Sequence, residues 1–215
     1  EGEGEPDLDP GQYRQRLLRQ LAKDPVDAGA LEAFLQSLPA HYVTTTTPEL
    51  ARLHLELAQK AVNGTPSLEV SHRPELSATE ITFCGRDQAG LLSRLLGVLY
   101  ANDLSVLSIR ACTTEGDHPV ALDTFTVSFG GRTVPAATLR IVGDQALGVL
   151  RGELDSDALL RSKGKEPERR QEFFTAQFVP GDPGILEVRA PRGRGMAFRL
   201  SRWIAAQSWN IVAAR

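Results

Sequence analysis

The sequence predicts an α+β protein in which one complete split βαβ unit (strand, helix, strand, strand, helix, strand) builds an antiparallel sheet with both helices on one face. A short helical segment precedes that unit and a partial second copy follows it. Three observations carry this expectation. Apolar residues recur at helical spacing as far as Ala61 and alternate from Thr79 onward. Beyond Thr79, stretches rich in β-branched and aromatic residues are interleaved with two amphipathic segments in the split βαβ order. Finally, Gly90 and Gly195 lie 105 positions apart, and sliding the chain by that amount lays its last stretch onto an earlier one without a gap.

Residues 1–75 read as a helical connector, too thin to fold as a full domain. EGEGEPDLDPG is an acidic, flexible lead-in. Because the chain opens on Glu1 rather than Met, it reads as trimmed or as a piece of a longer protein. Leu17, Leu18 and Leu21 mark one short amphipathic helix, and Leu31, Phe34, Leu35 and Leu38 mark a second that Pro39 stops. In TTTTPELARLHLELAQKA, Thr47 is placed to cap a further helix, with Pro48 at its first position and Glu49 in its first turn. Leu50, Leu53, Leu57 and Ala61 give that helix a buried stripe. NGTP ends it, and the stretch to about Ala78 reads as a linker.

Residues 76–180 are expected to form the complete unit. TEITFCG alternates like a half-buried strand, with Ile81 and Phe83 on one face, and Leu91, Leu92, Leu95, Leu96 and Leu99 form the stripe of a helix from Gly90 to Asn102. LSVLSIRACTT and VALDTFTVSF are strands on either side of the turn EGDHP. Residues 136–151 form a second helix that Gly143 and Gly148 weaken, and past the charged KGKEPERRQ the run EFFTAQFV is the closing strand. With both helices on one side, the other face of the sheet must be wet or paired. Phe125, Val127 and Phe129 fall on one face and Leu122 on the other, so pairing between units, within or between chains, is expected.

Residues 181–215 are an incomplete second copy. ILEVRAPRGRGMAFRLSRWIAAQSWNIVAAR aligns with EITFCGRDQAGLLSRLLGVLYANDLSVLSIR, which matches Arg94 to Arg199, Leu95 to Leu200 and Arg110 to Arg215 as well as the two glycines. The copy stops at its second strand with an unpaired edge and an uncovered core, so either the chain is a fragment or a partner completes it.

A net charge of -3 gives no global basic surface, and neither nucleic acid nor an anionic membrane is expected as a partner. No apolar run approaches the roughly 20 residues of a membrane span. Cys84 and Cys112 form no C-x-x-C pair or disulfide framework, which points to core thiols and a cytoplasmic, reducing location.

The sequence TEITFCGRDQAGLLSRLLGVLYANDLSVLSIRACTTEGDHPVALDTFTVS has a D-x-x-G-L turn, a strand ending R-A-x-T-T and an A-L-D-T-F strand. In these it resembles the first of two ACT domains, small ferredoxin-like amino-acid-sensing units, at the C-terminus of the bifunctional PII uridylyltransferase/uridylyl-removing enzymes. Upstream, AFLQSLPAHYVTTTTPELARLHLELAQKA is similar to the stretch that joins that family's metal-dependent HD hydrolase domain to its ACT pair. The resemblance covers roughly residues 30–215. It implies a regulatory region that senses glutamine and switches an enzyme between adding UMP to the PII signalling protein and removing it, in nitrogen regulation. The catalytic parts are absent: there is no G-S-x-x-R turn with a D-x-D pair for magnesium and triphosphate, and His41, His54, His72 and His118 are scattered without His-Asp adjacency. No cofactor is therefore expected in this segment, magnesium belonging to the family's catalytic part. A stand-alone ACT-type module for amino-acid binding or dimerisation, with no enzyme attached, is the alternative.

A ligand is expected at the turn formed by Asp87, Gln88, Ala89, Gly90 and Leu91, because the first amides of a helix lack intrahelical partners and carry the positive end of its dipole. Gly90 lets the backbone approach closely. Asp87 either takes the ligand's ammonium or caps the helix. The resemblance further implies a site shared with a neighbouring unit through an asparagine near the start of the second strand. Ser105 stands at that place in the first copy and Asn210 in the second, while Arg192 replaces the acid of the second copy ahead of Gly195. A shared site built from the Asp87 turn and Asn210 is the resulting expectation. Arg189, Arg192, Arg194, Arg199 and Arg202 form a local basic cluster that suits a phosphate or nucleotide, or is a solvated helix start. His54 reads as a surface or packing residue.

Overall fold

A computed structural model of the chain describes residues 9–21, 27–165, 175–179, 185–189, 193–209, 211 and 213–214. Four helices come first: α1 (Pro10–Leu21), α2 (Ala28–Gln36), α3 (Ala40–Thr45) and α4 (Pro48–Val62). Local chemistry sets their ends. The Asp27 side chain accepts from the amides of Gly29 and Ala30 to start α2, and Thr47 accepts from the Leu50 amide to start α4, with Pro48 behind it. Arg14 of α1 donates to the carbonyls of Leu35 (3.0 Å) and Leu38 (2.8 Å), tying α1 to the end of α2.

The rest of the chain gives β1 (Ser67–Arg73), β2 (Ala78–Arg86), α5 (Leu91–Ala101), β3 (Leu104–Thr113), β4 (Val120–Phe129), α6 (Ala136–Leu150), α7 (Ser156–Ser162), β5 (Thr175–Val179), β6 (Ile185–Arg189), α8 (Met196–Ala206) and β7 (Ala213–Ala214). The main sheet runs β1-β2-β4-β3-β7 with every neighbouring pair antiparallel. This is a mixed α+β architecture, and the run from β2 to α6 is compatible with a ferredoxin-like arrangement.

Two expectations about the strands are corrected. The stretch read as a linker after NGTP contains β1, which lies beside β2 where the closing strand of the unit should be. The run read as that closing strand does form β5, but it pairs with β6 in a separate two-stranded sheet. Connectivity explains the exchange. A 3-10 turn at Pro74–Leu76 and a left-handed Ser77 (φ 50) return β1 directly onto β2, so this edge is filled at a small cost in loop closure.

Each face of the sheet has its own core. On one, Ile81, Phe83, Phe125 and Val127 meet Leu91, Leu95 and Leu99 of α5 and Val142, Ala146 and Val149 of α6. On the other, Cys84, Cys112, Val120 and Leu122 meet Leu35, Tyr42, Val43, Leu55 and Ala58 of the helical segment. The face expected to be wet or paired with another unit is thus covered, at one end, by the chain's own first four helices. The other end of that face is polar, with Glu80 bridging Arg73 (2.7 Å) and Arg110 (3.1 Å). The connector is more than a tether: it shares a core with the sheet.

That core holds one buried polar pair. His54 is 3% exposed, its Nδ1 lies 2.7 Å from the Tyr42 hydroxyl, and its Nε2 is buried with no hydrogen-bond partner among the described residues. Burial, reinforced by the Arg110 guanidinium, pushes the imidazole down to about 4, while burial pushes the Tyr42 hydroxyl well up. A folded value below the ordinary 6.5 means that this stability is fully present above about pH 6.5 and is lost as pH falls toward 4. Denaturant unfolding of the chain and of His54→Gln across this range is expected to differ in pH slope by an amount on the order of 2–3 kcal/mol. Parallel curves would contradict a buried, neutral His54.

Candidate functional site

The turn between β2 and α5 is held from three sides. The Asp87 amide donates to the Pro119 carbonyl (2.9 Å) in the β3–β4 connection, the Leu91 amide donates to the Gln88 carbonyl (2.9 Å), and Arg94 Nη2 donates to Gln88 Oε1 (2.9 Å). Gly90 occupies the N-cap in the left-handed region, with φ 73 and ψ 11, and as a glycine supplies no side chain to cap the helix amides. The N-cap position itself is taken by Gly90 and not by Asp87. Ala89 is exposed, whereas the Leu91 side chain is sunk in the core and only its backbone belongs to the turn. Nε of Arg94 is buried without a hydrogen-bond partner among the described residues.

The second copy repeats this geometry. Gly195 caps α8 with φ 71 and ψ 9, again without a side-chain cap. A methyl group on Gly90 would lie 3.8 Å from Cβ of Ala205 in the last turn of α8, and one on Gly195 would lie 2.7 Å from Cε2 of Tyr100 in the last turn of α5. Tyr100 and Ala205 are themselves 105 positions apart, so the contact is reciprocal: each helix starts against the end of the other, as across an isologous interface. On the sheet, β7 pairs with the edge of β3 through Ala111–Ala214 and Cys112–Ala213. The copies meet edge to edge and helix to helix, not across the face that the first helices cover. Both glycines have left-handed backbones, where an alanine costs roughly 1–2 kcal/mol. Gly195→Ala is expected to cost clearly more than Gly90→Ala in thermal unfolding, because only its methyl collides with a ring; equal losses would contradict the helix pairing.

Not every expected site residue converges. Ser105 pairs with Ser128, whereas Arg86 beside the turn pairs with Val120 at the opposite end of the sheet. Gly195 likewise sits with the end of α5, about 16 Å from its start by the rise of an eleven-residue helix. Asn210 and Arg192 lie outside the described residues. The basic cluster disperses: Arg202 pairs with Asp157 (2.9 Å) and lies over the Phe198 ring, and exposed Arg194 reaches toward Asp103 (4.0 Å). These arginines form no converging phosphate cradle among the described residues.

One residue at this end of the sheet passed unnoticed in the sequence. Asp123 of β4 is 4% exposed, paired across to Phe83 on β2 and Ala111 on β3, and falls on the α5 side with Ala121, Phe125 and Val127 by alternation. Burial first, and then the charge of Asp87, push its carboxyl up to about 7. It makes no hydrogen bond or ion pair among the described residues. Its charge and, above all, burial hold the thiols of Cys84, pushed up to about 12, and Cys112 protonated, which makes them unreactive core residues. The available signal was positional: an acid at an inward step of the alternating strand VALDTFTVSF. Elsewhere, a concavity of about 510 Å³ between α2, α4 and the β3–β4 turn, lined mainly by small and apolar residues such as Ala33, Leu55 and Ala58, lies on the opposite face of the sheet. No protein-family model matches the chain, and no curated protein is similar enough to it to count as a match.

Proposed function

We propose that this chain is the amino-acid-sensing regulatory region of a PII uridylyltransferase/uridylyl-removing enzyme, built on ACT-type units, with glutamine as its ligand. The observation that carries the reading is the pairing of two glycine-started helices, each with its N-terminus set against the last turn of the other. An uncapped helix start receives a carboxylate through its amides and dipole, and a ligand held there touches both copies. A ligand that binds one arrangement of the copies better than another shifts their equilibrium by that difference in affinity. The helical segment is the mechanical output: its core rests on Cys84 of β2 and Cys112 of β3, the strands that flank Asp123. From there the shift reaches the catalytic domains of the parent enzyme and, through them, PII. Calorimetric titration with a panel of amino acids is expected to show selective binding of L-glutamine, weakened at least tenfold in a folded Asp87→Ala variant. Absence of binding by every amino acid, or an unchanged glutamine affinity in Asp87→Ala, contradicts the reading.

A further inference from the structure

The two copies differ where they touch. Across a twofold joint, residue i of one copy meets residue j of the other and j meets i. A methyl on Gly97 would lie 3.2 Å from Cε2 of Phe198, and the positions related to this pair by the repeat are Arg202 and Ser93. Gly195 meets the Tyr100 ring in the same way, with Gly90 and Ala205 at the related positions. Each ring thus enters a gap left by a glycine of the other copy, and the two rings stack on one another with centroids 5.9 Å apart. Helix α7, which has no place in the split βαβ plan, adds a third difference. Leu160 anchors it in the core under α5, Cβ of Ser156 approaches the same Gly97 position at 3.2 Å, and Asp157 holds Arg202 of α8 at 2.9 Å. Just after α7, Lys165 donates to the carbonyls of Tyr100 (3.1 Å) and Ala101 (3.0 Å), pairs with Asp103 (2.7 Å) and lies over the Tyr100 ring, which holds that ring in place for its gap.

These contacts do not survive pairing of like with like. Two first copies would set Gly97 and Tyr100 against Ser93, which leaves a void in place of the phenyl ring, removes the stack and turns Asp157 toward a glycine in place of Arg202. Two second copies would set Phe198 against Arg202 where the gap should be. We propose that the joint face of the first copy, made by Gly97, Tyr100 and Asp157, is a recognition surface for a second-copy face and rejects another first copy. Another molecule of this chain therefore joins here only by exchange, each first copy taking its neighbour's second. This recognition needs no ligand and stands independently of amino-acid sensing.

Sedimentation of full-length chains tests this by mixing two variants. Gly97→Arg puts the second copy's own residue into the first face and closes it, leaving the second face intact, whereas Phe198→Ala empties the second face and leaves the first intact. The mixture is expected to form one-to-one pairs more tightly than either variant pairs with itself, by roughly tenfold or more, the scale of one lost anchor. Self-association of Phe198→Ala as tight as that of the mixture overturns the rejection of like faces, and a mixture no more associated than its parts overturns the recognition. The part played by α7 is read separately on the half-exposed pair Asp157 and Arg202, whose exchange leaves the core alone. Hydrogen exchange of the α8 amides is expected to quicken in Asp157→Arg and in Arg202→Asp and to slow again in the double variant; no recovery overturns the role of Asp157. No step uses a ligand, so a chain that binds no amino acid still decides the question, and either result leaves the sensing reading to its own titration.

Discussion

Asp123→Asn is expected to stabilise the unliganded chain above neutral pH and to give that gain back in acid. The folded carboxyl, raised to about 7 from an ordinary 3.8, binds its proton more tightly than the unfolded one does. Stability therefore falls as pH rises between these two values and stays low above about pH 7. The full shift corresponds to about 4 kcal/mol, but the asparagine amide remains unpaired in the same place, so a net gain on the order of 2 kcal/mol is expected at pH 8. The sign should reverse between about pH 5 and 6, and by pH 4 the variant should be less stable than the wild-type chain by about 2 kcal/mol, because the protonated carboxyl has regained the whole shift. His54 acts in the opposite sense over nearly the same range, gaining stability as pH rises. The wild-type chain is thus expected to have a flat profile from about pH 4 to 7 that each single variant tilts, in opposite directions. Equal pH slopes for Asp123→Asn and the wild-type chain would show that the carboxyl is not in the environment described.

Phe198→Ala is the other large effect. This ring belongs to α8 but is 2% exposed inside the core under α5. It stacks on Tyr100 with centroids 5.9 Å apart and approaches Gly97 so closely that a methyl there would lie 3.2 Å from its Cε2. Removing a buried phenylalanine costs roughly 3–5 kcal/mol, and here the loss falls on the joint between the copies. The expected result is a separate early unfolding step reported by Trp203 and Trp209, which stand edge to face at 6.4 Å on and just after α8. A single transition with a loss below about 1 kcal/mol would mean that α8 is not docked.

The parts of the fold that were legible in the sequence are those set by local chemistry. The Thr47-Pro48 start of α4, the leucine stripe of α5 and the Gly90 turn needed only neighbouring residues to specify them. The strand β1 was hidden because SLEVSHR turns only Leu68 and Val70 inward and is bracketed by Pro66 and Pro74, the composition of a loop. As an edge strand it needs one partner and a shallow apolar face. In β5 the composition was right and the partner was not: propensity marks a strand, while connectivity decides which edge it reaches. The stripe of Leu31, Phe34 and Leu35 announced a buried face without saying that the other side of the contact was Cys84 and Leu122. Asp87 and Gly90 could be placed at the start of α5 from helix-terminus physics alone. Asp123 could not, because its inward aim depends on a register that only the paired strands define.

Hydrogen–deuterium exchange with and without L-glutamine addresses most directly whether one ligand bridges the two copies. Amides at the start of α5, residues 91–93, and those at the end of α8, residues 205–208, are expected to slow together, because Gly90 faces Ala205. Protection confined to either segment, or appearing instead at the groove between α2 and α4, would contradict a site shared across the joint.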